Sequence, residues 1–229
     1  MLCEDQARNI TNIKTNSFVN RGALRLFFLY VVLCYYIFME NLVLKRKEYK
    51  IQKEYPDGSY LVSFKDKLFV LRRFDNDTDF HCELNLRKKL KKYGIRIPKI
   101  KKVFKKERIV LIEYISDHTM LDELIKGDIG DDAFKELFNI YRFCRFSKID
   151  LNYQPENFAT KNGEMYYLSL EFFDSNKEKN LENYGLFYWI YSPQFVEHLK
   201  ELKISIDPSR VLSKAEANKK IVLISVMHW

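Results

Sequence analysis

Short runs of alternating apolar and polar residues characterise much of the first half of the chain. The strands that this pattern predicts cover residues 43–55, 59–65, 67–74, 100–104 and 108–115. Tight polar turns at Pro56-Asp57-Gly58 and at Asp66 separate the first three strands. This half of the chain is therefore expected to form a small sheet.

A helical period replaces the alternation at residues 79–93. Glu83, Leu86, Leu90 and Tyr93 recur there on one face, and Gly94 ends the predicted helix. Beyond residue 116 the pattern predicts helices over residues 120–125, 131–146, 181–191 and 194–204, and a strand pair over residues 157–160 and 165–172. The buried face of the 131–146 helix is predicted to carry Phe134, Leu137, Tyr141 and Cys144.

This order of elements predicts an α+β fold with two lobes. Residues 41–115 form the smaller lobe, made of a sheet and one helix. Residues 116–206 form a reduced, mainly helical lobe, and residues 207–229 are assigned to a C-terminal tail. Residues 1–40 precede the patterned region as an extension.

The extension contains an apolar run at residues 26–39, which has fourteen uncharged residues. A bilayer-spanning helix needs about 20 such residues, so this run is marginally short. Three interpretations stay open: a membrane anchor, a buried or partner-seeking helix, and a translated upstream segment that is not native to the folded protein. Met39 lies just ahead of the patterned region, and this position motivates the third interpretation.

Composition adds a local excess of positive charge. The net charge is +8, and residues 87–108 hold twelve Lys or Arg with the single acid Glu107. Such a stretch can bind an acidic partner, nucleic acid or an anionic membrane, or it can be a solvated surface. The four cysteines and four histidines show no metal-ligand spacing, and reduced thiols in a cytoplasmic protein are expected.

Four segments, taken in order, resemble the protein-kinase-like superfamily, and in particular small microbial members related to atypical, lipopolysaccharide and aminoglycoside kinases. The segments are residues 69–72 (FVLR), Glu83 on the next helix, residues 111–115 (LIEYI), and residues 152–158 (NYQPENF) followed by residues 168–171 (LSLE). They match the V-A-I-K strand, the glutamate that pairs with its lysine, the hinge, and the catalytic loop with its metal-binding aspartate. The resemblance covers about 160 residues.

The resemblance implies a role for each matched position. Arg72 would face the nucleotide phosphates with Glu83 in contact as its ion-pair partner, and the backbone of Glu113, Tyr114 and Ile115 would face an adenine. Asn152 would occupy the position of the catalytic base. Asn157 and Ser169 would occupy the metal-ligand positions.

Three of these positions depart from the family pattern. Arg72 replaces the lysine and presents a planar fork in place of a compact ammonium. Asn152 cannot accept a proton at neutral pH, and loss of a general base typically costs about 10²–10⁴-fold in rate. Ser169 is a neutral and poor ligand for magnesium. The glycine-rich loop is reduced to Asp57-Gly58-Ser59.

Two residues are candidates for compensation. Ser169 and Glu171 are expected on one face of a strand, so Glu171 is a candidate metal ligand. Asp150 precedes Asn152 by two residues and is a candidate base. These observations favour a pseudokinase with a binding or scaffolding role toward an unidentified protein partner, with ATP as the implied nucleotide and Mg or Mn bound weakly or not at all. The alternatives are a divergent ATP-dependent phosphotransferase and a basic nucleic-acid-associated protein.

Overall fold

The computed structural model describes residues 41–127 and 129–229 of the chain. These residues divide into two compact units, and the second is Lys53–Trp229. The extension at residues 1–40, with its apolar run at residues 26–39, lies outside the described residues. In the part that is described, no helix has the length and apolar character needed to span a membrane.

The first unit contributes a hairpin of two antiparallel strands, β1 (Asn41–Leu44) and β2 (Lys47–Glu54). Its turn consists of Lys45 and Arg46, whose φ angles are 46° and 63°. Two-residue turns of this kind are usually marked by Asn-Gly or Asp-Gly. The prediction of one continuous strand over residues 43–55 was therefore wrong, because Lys-Arg gives no turn signal.

The second unit combines antiparallel strands with helices, as the sequence predicted. Its elements in chain order are β3 (Tyr60–Phe64), β4 (Lys67–Arg73), α1 (Asp77–Lys92), β5 (Ile100–Phe104), β6 (Ile109–Glu113), α2 (Met120–Lys126), α3 (Asp131–Ser147), β7 (Ile149–Leu151), β8 (Phe158–Lys161), β9 (Glu164–Tyr167), β10 (Phe172–Asp174), α4 (Pro193–Glu201) and α5 (Lys214–His228). The two-lobed, kinase-like arrangement of these elements stays a prediction.

The main sheet of this unit has the strand order β3-β4-β6-β5, with every neighbouring pair antiparallel. In the β4–β6 register Arg72 lies opposite Val110. Helix α1 packs on this sheet through Phe80, which joins a buried cluster with Val110 and Ile112. Burial of these apolar side chains fixes the helix to the sheet.

Helix α1 begins and ends where its sequence dictates. The Asn76 side chain caps it by accepting a hydrogen bond from the Asp79 N–H at 2.8 Å. Lysines occupy the last turn, where positive charge is favourable, and Gly94 follows with φ of 80°. The predicted bounds of 79–93 agree with the observed helix within two residues.

The helical part of the unit surrounds the largest buried cluster. Helix α3 contributes Phe134, Leu137, Tyr141 and Cys144 to that cluster, which confirms its predicted buried face. Helix α5, in the segment assigned to a tail, also packs on the cluster through three residues. They are Ala217, Ile221 and Ile224. Its exposed side carries apolar residues as well, so no amphipathic period marks this helix in the sequence.

Two segments differ from the predicted elements. Residues 181–191 do not form an α-helix, and only a 3₁₀ turn at Gly185–Trp189 is present. The backbone at Gly185 lies close to Tyr153, since a Cβ added to Gly185 would lie 2.7 Å from the Tyr153 Cβ. The predicted strand over residues 165–172 ends at Tyr167, and β10 then pairs with β7.

Gly94 should tolerate no side chain. A Cβ there would lie 2.7 Å from Phe143 Cδ1, and its φ of 80° is strained for other residues. We expect Gly94→Ala to lower the free energy of unfolding by about 1–3 kcal/mol, measured by urea denaturation.

Gly127→Ala is the matched control, because Gly127 has an extended backbone and nothing within 4 Å of its added Cβ. It should leave the free energy of unfolding unchanged or raise it by up to about 1 kcal/mol. If the two variants were equally stable, the close approach of the Phe143 ring to Gly94 would be contradicted.

Candidate functional site

A buried carboxylate joins strand β4 to helix α1. Glu83, which is 6% exposed, accepts a hydrogen bond from Arg72 Nη1 at 3.0 Å and another from Arg87 Nε at 2.7 Å. Arg87 Nη1 also donates to the Pro98 carbonyl at 3.2 Å. The expected contact between Arg72 and Glu83 is confirmed.

Burial distinguishes the two arginines. Arg72 keeps 31% of its side chain exposed, whereas Arg87 keeps 5%. Burial lowers the pKa of the Arg87 guanidinium, and the neighbouring Glu83 carboxylate offsets this only in part. Arg87 is therefore a structural cation, and Arg72 is the one that solvent and ligands can reach.

Arg72 and Glu83 line a cavity of about 760 Å³. The full set of lining residues is Asp57, Arg72, Asp79, Cys82, Glu83, Leu86, Asn157, Leu168, Ser169, Leu170, Glu171, Phe172 and Phe173. Five of the residues singled out in the sequence therefore meet at one cavity: Arg72, Glu83, Asn157, Ser169 and Glu171. Asp79, four residues before Glu83 on the same helix face, and Cys82, the residue next to Glu83 in sequence, were missed.

The catalytic-loop candidates are held together by amide hydrogen bonds. Asn157 Nδ2 donates to the Asn152 carbonyl at 3.3 Å, and Asn152 Oδ1 accepts from the Gln154 N–H at 3.3 Å. Asn152 Nδ2 donates to Glu171 Oε2 at 3.1 Å. The Asn152 side chain thus orients Glu171, and its carboxamide offers no site that takes up a proton at neutral pH.

Ser169 and Glu171 do not lie on a strand, so the reason given for their shared face was wrong. Ser169 Oγ instead accepts a hydrogen bond from the Glu171 N–H at 3.2 Å. Tyr167 Oη donates to the Glu171 carbonyl at 2.7 Å. These local bonds compete with strand pairing and turn the chain. Both side chains nevertheless line the cavity.

Asp150, the other candidate base, is not brought to the cavity. It is 2% exposed on β7, opposite Phe173. Its Oδ1 accepts from Tyr153 Oη at 3.3 Å, and its Oδ2 accepts from the Asn176 N–H at 2.9 Å. With both oxygens bonded, Asp150 anchors the chain that follows β10.

The hinge candidates also lie outside the lining of this cavity. Lys161 Nζ donates to Glu113 Oε1 at 3.2 Å and to the Tyr114 carbonyl at 3.0 Å. Ile115 packs in a buried cluster with Ala159. Burial raises the pKa of Glu113, but Lys161 and Lys101 together outweigh it, so the pKa lies below its ordinary value.

The remnant of the glycine-rich loop is closed on itself. Asp57 Oδ1 accepts from the Ser59 N–H at 3.0 Å and from Ser59 Oγ at 2.6 Å. The Gly58 N–H donates to the Tyr55 carbonyl at 3.0 Å. These backbone donors are engaged within the turn, so they do not form a cradle for phosphate.

Charge in the cavity is unbalanced. Four lining residues are carboxylates (Asp57, Asp79, Glu83 and Glu171), and one lining residue, Arg72, is a cation. No group of three or more His, Cys, Asp or Glu side chains comes together as a metal site within residues 41–127 and 129–229. An anionic ligand therefore meets net repulsion here.

Removal of the Glu83 charge should destabilise the fold. We expect Glu83→Gln to lower the free energy of unfolding by about 3–5 kcal/mol, because Arg87 is left buried without its counter-charge. Chemical denaturation measures the change. Glu197→Gln removes an exposed partner of Lys200 and should cost at most about 1 kcal/mol.

The double variant Glu83→Gln/Arg87→Met separates charge burial from packing. It removes the unpaired cation and should recover part of the lost stability. If the double variant were less stable than Glu83→Gln, the unpaired buried charge of Arg87 would not be the cause of the lost stability.

The Lys161–Glu113 pair should contribute stability that depends on pH. Because the folded pKa of Glu113 is lowered, the contribution is complete above the ordinary glutamate pKa of about 4.3 and is lost as the pH falls through the folded pKa. We expect Lys161→Met to cost about 1 kcal/mol at pH 7 and less at about pH 3, measured by urea denaturation.

Lys106→Met, at an exposed lysine without this pair, is the control and should show no such change with pH. If Lys161→Met cost the same free energy at both pH values, its effect would come from the lost hydrogen bond to the Tyr114 carbonyl and not from the Glu113 carboxylate.

Comparison of the sequence with protein-family models and with curated proteins finds no match. The candidate functional site of the chain is the cavity at Arg72. Its defining features are the Arg72–Glu83 pair, the neutral Ser169 and the excess of carboxylates.

Proposed function

We propose that this chain is a pseudokinase, a kinase-like fold with a small sheet-plus-helix lobe and a reduced helical lobe that acts in binding or scaffolding. The observation that carries the proposal is the 3.0 Å ion pair between Arg72 and Glu83 at a cavity that Asn157 and Ser169 also line. Kinases join a strand lysine to a helix glutamate in the same way, above an asparagine and an aspartate that hold metal.

The cavity's volume supports a binding role. At about 760 Å³ it lies within the range of about 300–1,000 Å³ that is usual for small-molecule sites. Leu86, Leu168 and Leu170 supply apolar surface, and the polar residues stand among them. A ligand of moderate size is therefore compatible with this site.

The donor set does not fit magnesium–ATP. Arg72 is the one cation among the lining residues, and it already forms an ion pair with Glu83. Phosphoryl transfer depends on charge neutralisation around the transferring group. With Ser169 in place of a carboxylate and Asn152 in place of a base, the chain lacks the groups that stabilise this reaction. We therefore derive no phosphotransfer step.

A divergent phosphotransferase is the second candidate, and one observation favours it. Glu171 lines the cavity, and its Oε2 is oriented by Asn152 Nδ2 at 3.1 Å. A carboxylate in this place has the chemistry of a magnesium ligand. This candidate function requires that Glu171 bind the metal ion, because Ser169 stands where the resemblance implies a metal-binding aspartate.

A cytoplasmic location is part of the proposal. Cys82 and Cys144 are free cysteines, as expected for a reducing compartment. Attachment to a membrane through residues 26–39 stays an alternative within it.

We expect no turnover of ATP above background by the full chain. The physical reason is the missing carboxylate at Ser169 together with net repulsion of the polyphosphate in the cavity. Radiolabelled ATP with magnesium or manganese measures both transfer and hydrolysis. Label transfer that disappears in Glu171→Ala and in Asn157→Ala would establish the phosphotransferase and overturn the pseudokinase.

A thermal-shift titration with ATP, with and without magnesium, tests for a gain of binding. Ser169→Asp should raise magnesium-dependent ATP affinity by about tenfold or more, because it adds the carboxylate that hard cations prefer. Ser169→Asn is the matched neutral control and should change little. Equal affinities of the Asp and Asn variants would show that position 169 does not contact a nucleotide-bound metal.

A further inference from the structure

A second cavity lies against a different face of α1. It has a volume of about 670 Å³ and lies between this helix, residues 95–100 and strand β9. From α1 it takes Leu84, Lys88 and Lys91, which follow one another at helical spacing, together with Arg87. We call this cavity the basic groove.

The charge of the basic groove is opposite to that of the first cavity. Five lining residues are cations (Arg87, Lys88, Lys91, Arg96 and Lys99), and one, Glu164, is a carboxylate. Glu164 is itself paired with Arg96 at 3.4 Å. The groove therefore attracts anionic groups.

Three of these cations are available to a ligand. Within the described part of the chain, the side chains of Lys88, Lys91 and Lys99 form no ion pair, and all three residues are exposed. Arg87 and Arg96 are already engaged by Glu83 and Glu136. The lysines can thus pair with incoming carboxylates without breaking an existing contact.

The floor of the groove is apolar. Leu84, Ile95, Ile97 and Ile100 line it together with Pro98. Ile100 keeps 38% of its surface exposed, so it offers apolar contact area to a ligand. A ligand that carries both acidic and aliphatic groups can pair with the exposed lysines and also contact the apolar residues.

A nucleic acid satisfies this groove less well. Nucleic-acid sites combine cations with aromatic rings on which bases stack. Tyr166 is the one aromatic residue among the lining residues, and Arg96 already lies over its ring at 5.9 Å. The remaining apolar surface is aliphatic, which favours the side chains of a peptide.

We propose that the basic groove binds an acidic peptide segment of a partner protein, with its carboxylates on Lys88, Lys91 and Lys99 and an aliphatic side chain on the floor formed by Leu84, Ile97 and Ile100. This inference goes beyond the cavity at Arg72, and it does not depend on nucleotide binding or on phosphotransfer there.

The test begins with selection from a random peptide library on the full chain. The selected peptides should be enriched in Asp and Glu around a Leu, Ile, Val or Phe. One selected peptide, labelled with fluorescein, then serves as the probe in anisotropy titrations. Selected peptides without acidic residues, or the absence of any selected peptide, would overturn the proposal.

The decisive variants reverse charge inside and outside the groove. Lys88→Glu/Lys91→Glu should weaken binding of the probe by about tenfold or more. Lys105→Glu/Lys106→Glu makes the same change in net charge at exposed lysines of the same basic stretch that do not line the groove, and it should weaken binding by less than about threefold. Equal losses in both pairs would mean nonspecific attraction and would overturn the proposal.

Milder variants guard against effects on folding. Lys88→Gln/Lys91→Gln removes the charges without placing acids near the end of α1, and it should still weaken binding more than Lys105→Gln/Lys106→Gln does. Ile100→Ser should weaken binding through the floor, whereas Phe146→Ser, at a side chain that is 89% exposed and outside the groove, should not. Circular dichroism confirms that each variant is folded.

Two further arms distinguish the competing explanations. A single-stranded oligonucleotide of similar length should displace the probe only weakly. If the oligonucleotide bound more tightly than the peptide probe, and Lys88→Glu/Lys91→Glu abolished that binding, the groove would be a nucleic-acid site and the peptide proposal would be overturned. Ser169→Asp should leave probe affinity unchanged, because Ser169 lines the other cavity. An unexpected result in the ATP experiments would therefore leave the peptide proposal intact. An unexpected result in the peptide experiments would likewise leave the proposed function intact.

Discussion

The rest of the structure depends on one buried carboxylate placed between two guanidinium groups. Glu83 binds Arg72 on β4 through one oxygen and Arg87 on its own helix through the other. Arg87 extends the connection to the Pro98 carbonyl, so this carboxylate links the helix to the sheet and, through Arg87, to the following loop. A buried charge of this kind is costly unless every partner is present, which makes the arrangement specific. Both cavities use residues bonded to this carboxylate.

The sequence predicted the Arg72–Glu83 contact because several weak signals agreed in order and spacing, but it did not predict that Arg87 binds the same carboxylate. Arg72 alone would read as an edge charge of a strand, and Glu83 alone as one acid on a charged helix. The helical period placed Glu83 on the apolar face, and a charge on an apolar face needs a partner. Asn157 and Ser169 line the same cavity as Arg72 and Glu83, whereas the two-lobed arrangement that motivated their choice stays a prediction.

The failures have in common that the interactions behind them have no periodic signature in the sequence. The Lys45–Arg46 turn uses two left-handed residues that are not turn formers, and helix α5 is apolar on both sides. Residues 168–171 are turned by the Ser169 hydroxyl, which competes with strand pairing. Gly185 is pressed against Tyr153 by a contact between distant parts of the chain. Local backbone conformation and bonding decided the first and third of these cases, and packing against distant residues decided the other two.

The separation of charge across α1 changes how binding to this protein must be interpreted. The chain has a net charge of +8, yet the cavity at Arg72 has more carboxylates than cations, while the basic groove has the opposite excess. The two cavities are lined by different side chains of α1 with opposite charge excess, although the two sets adjoin at the Glu83–Arg87 pair. Each face therefore presents its own local field to a ligand. A polyanion meets an excess of carboxylates at the cavity lined by Arg72 and an excess of cations at the basic groove. Affinity for a polyanion is consequently not, by itself, a sign of a working nucleotide site in this fold.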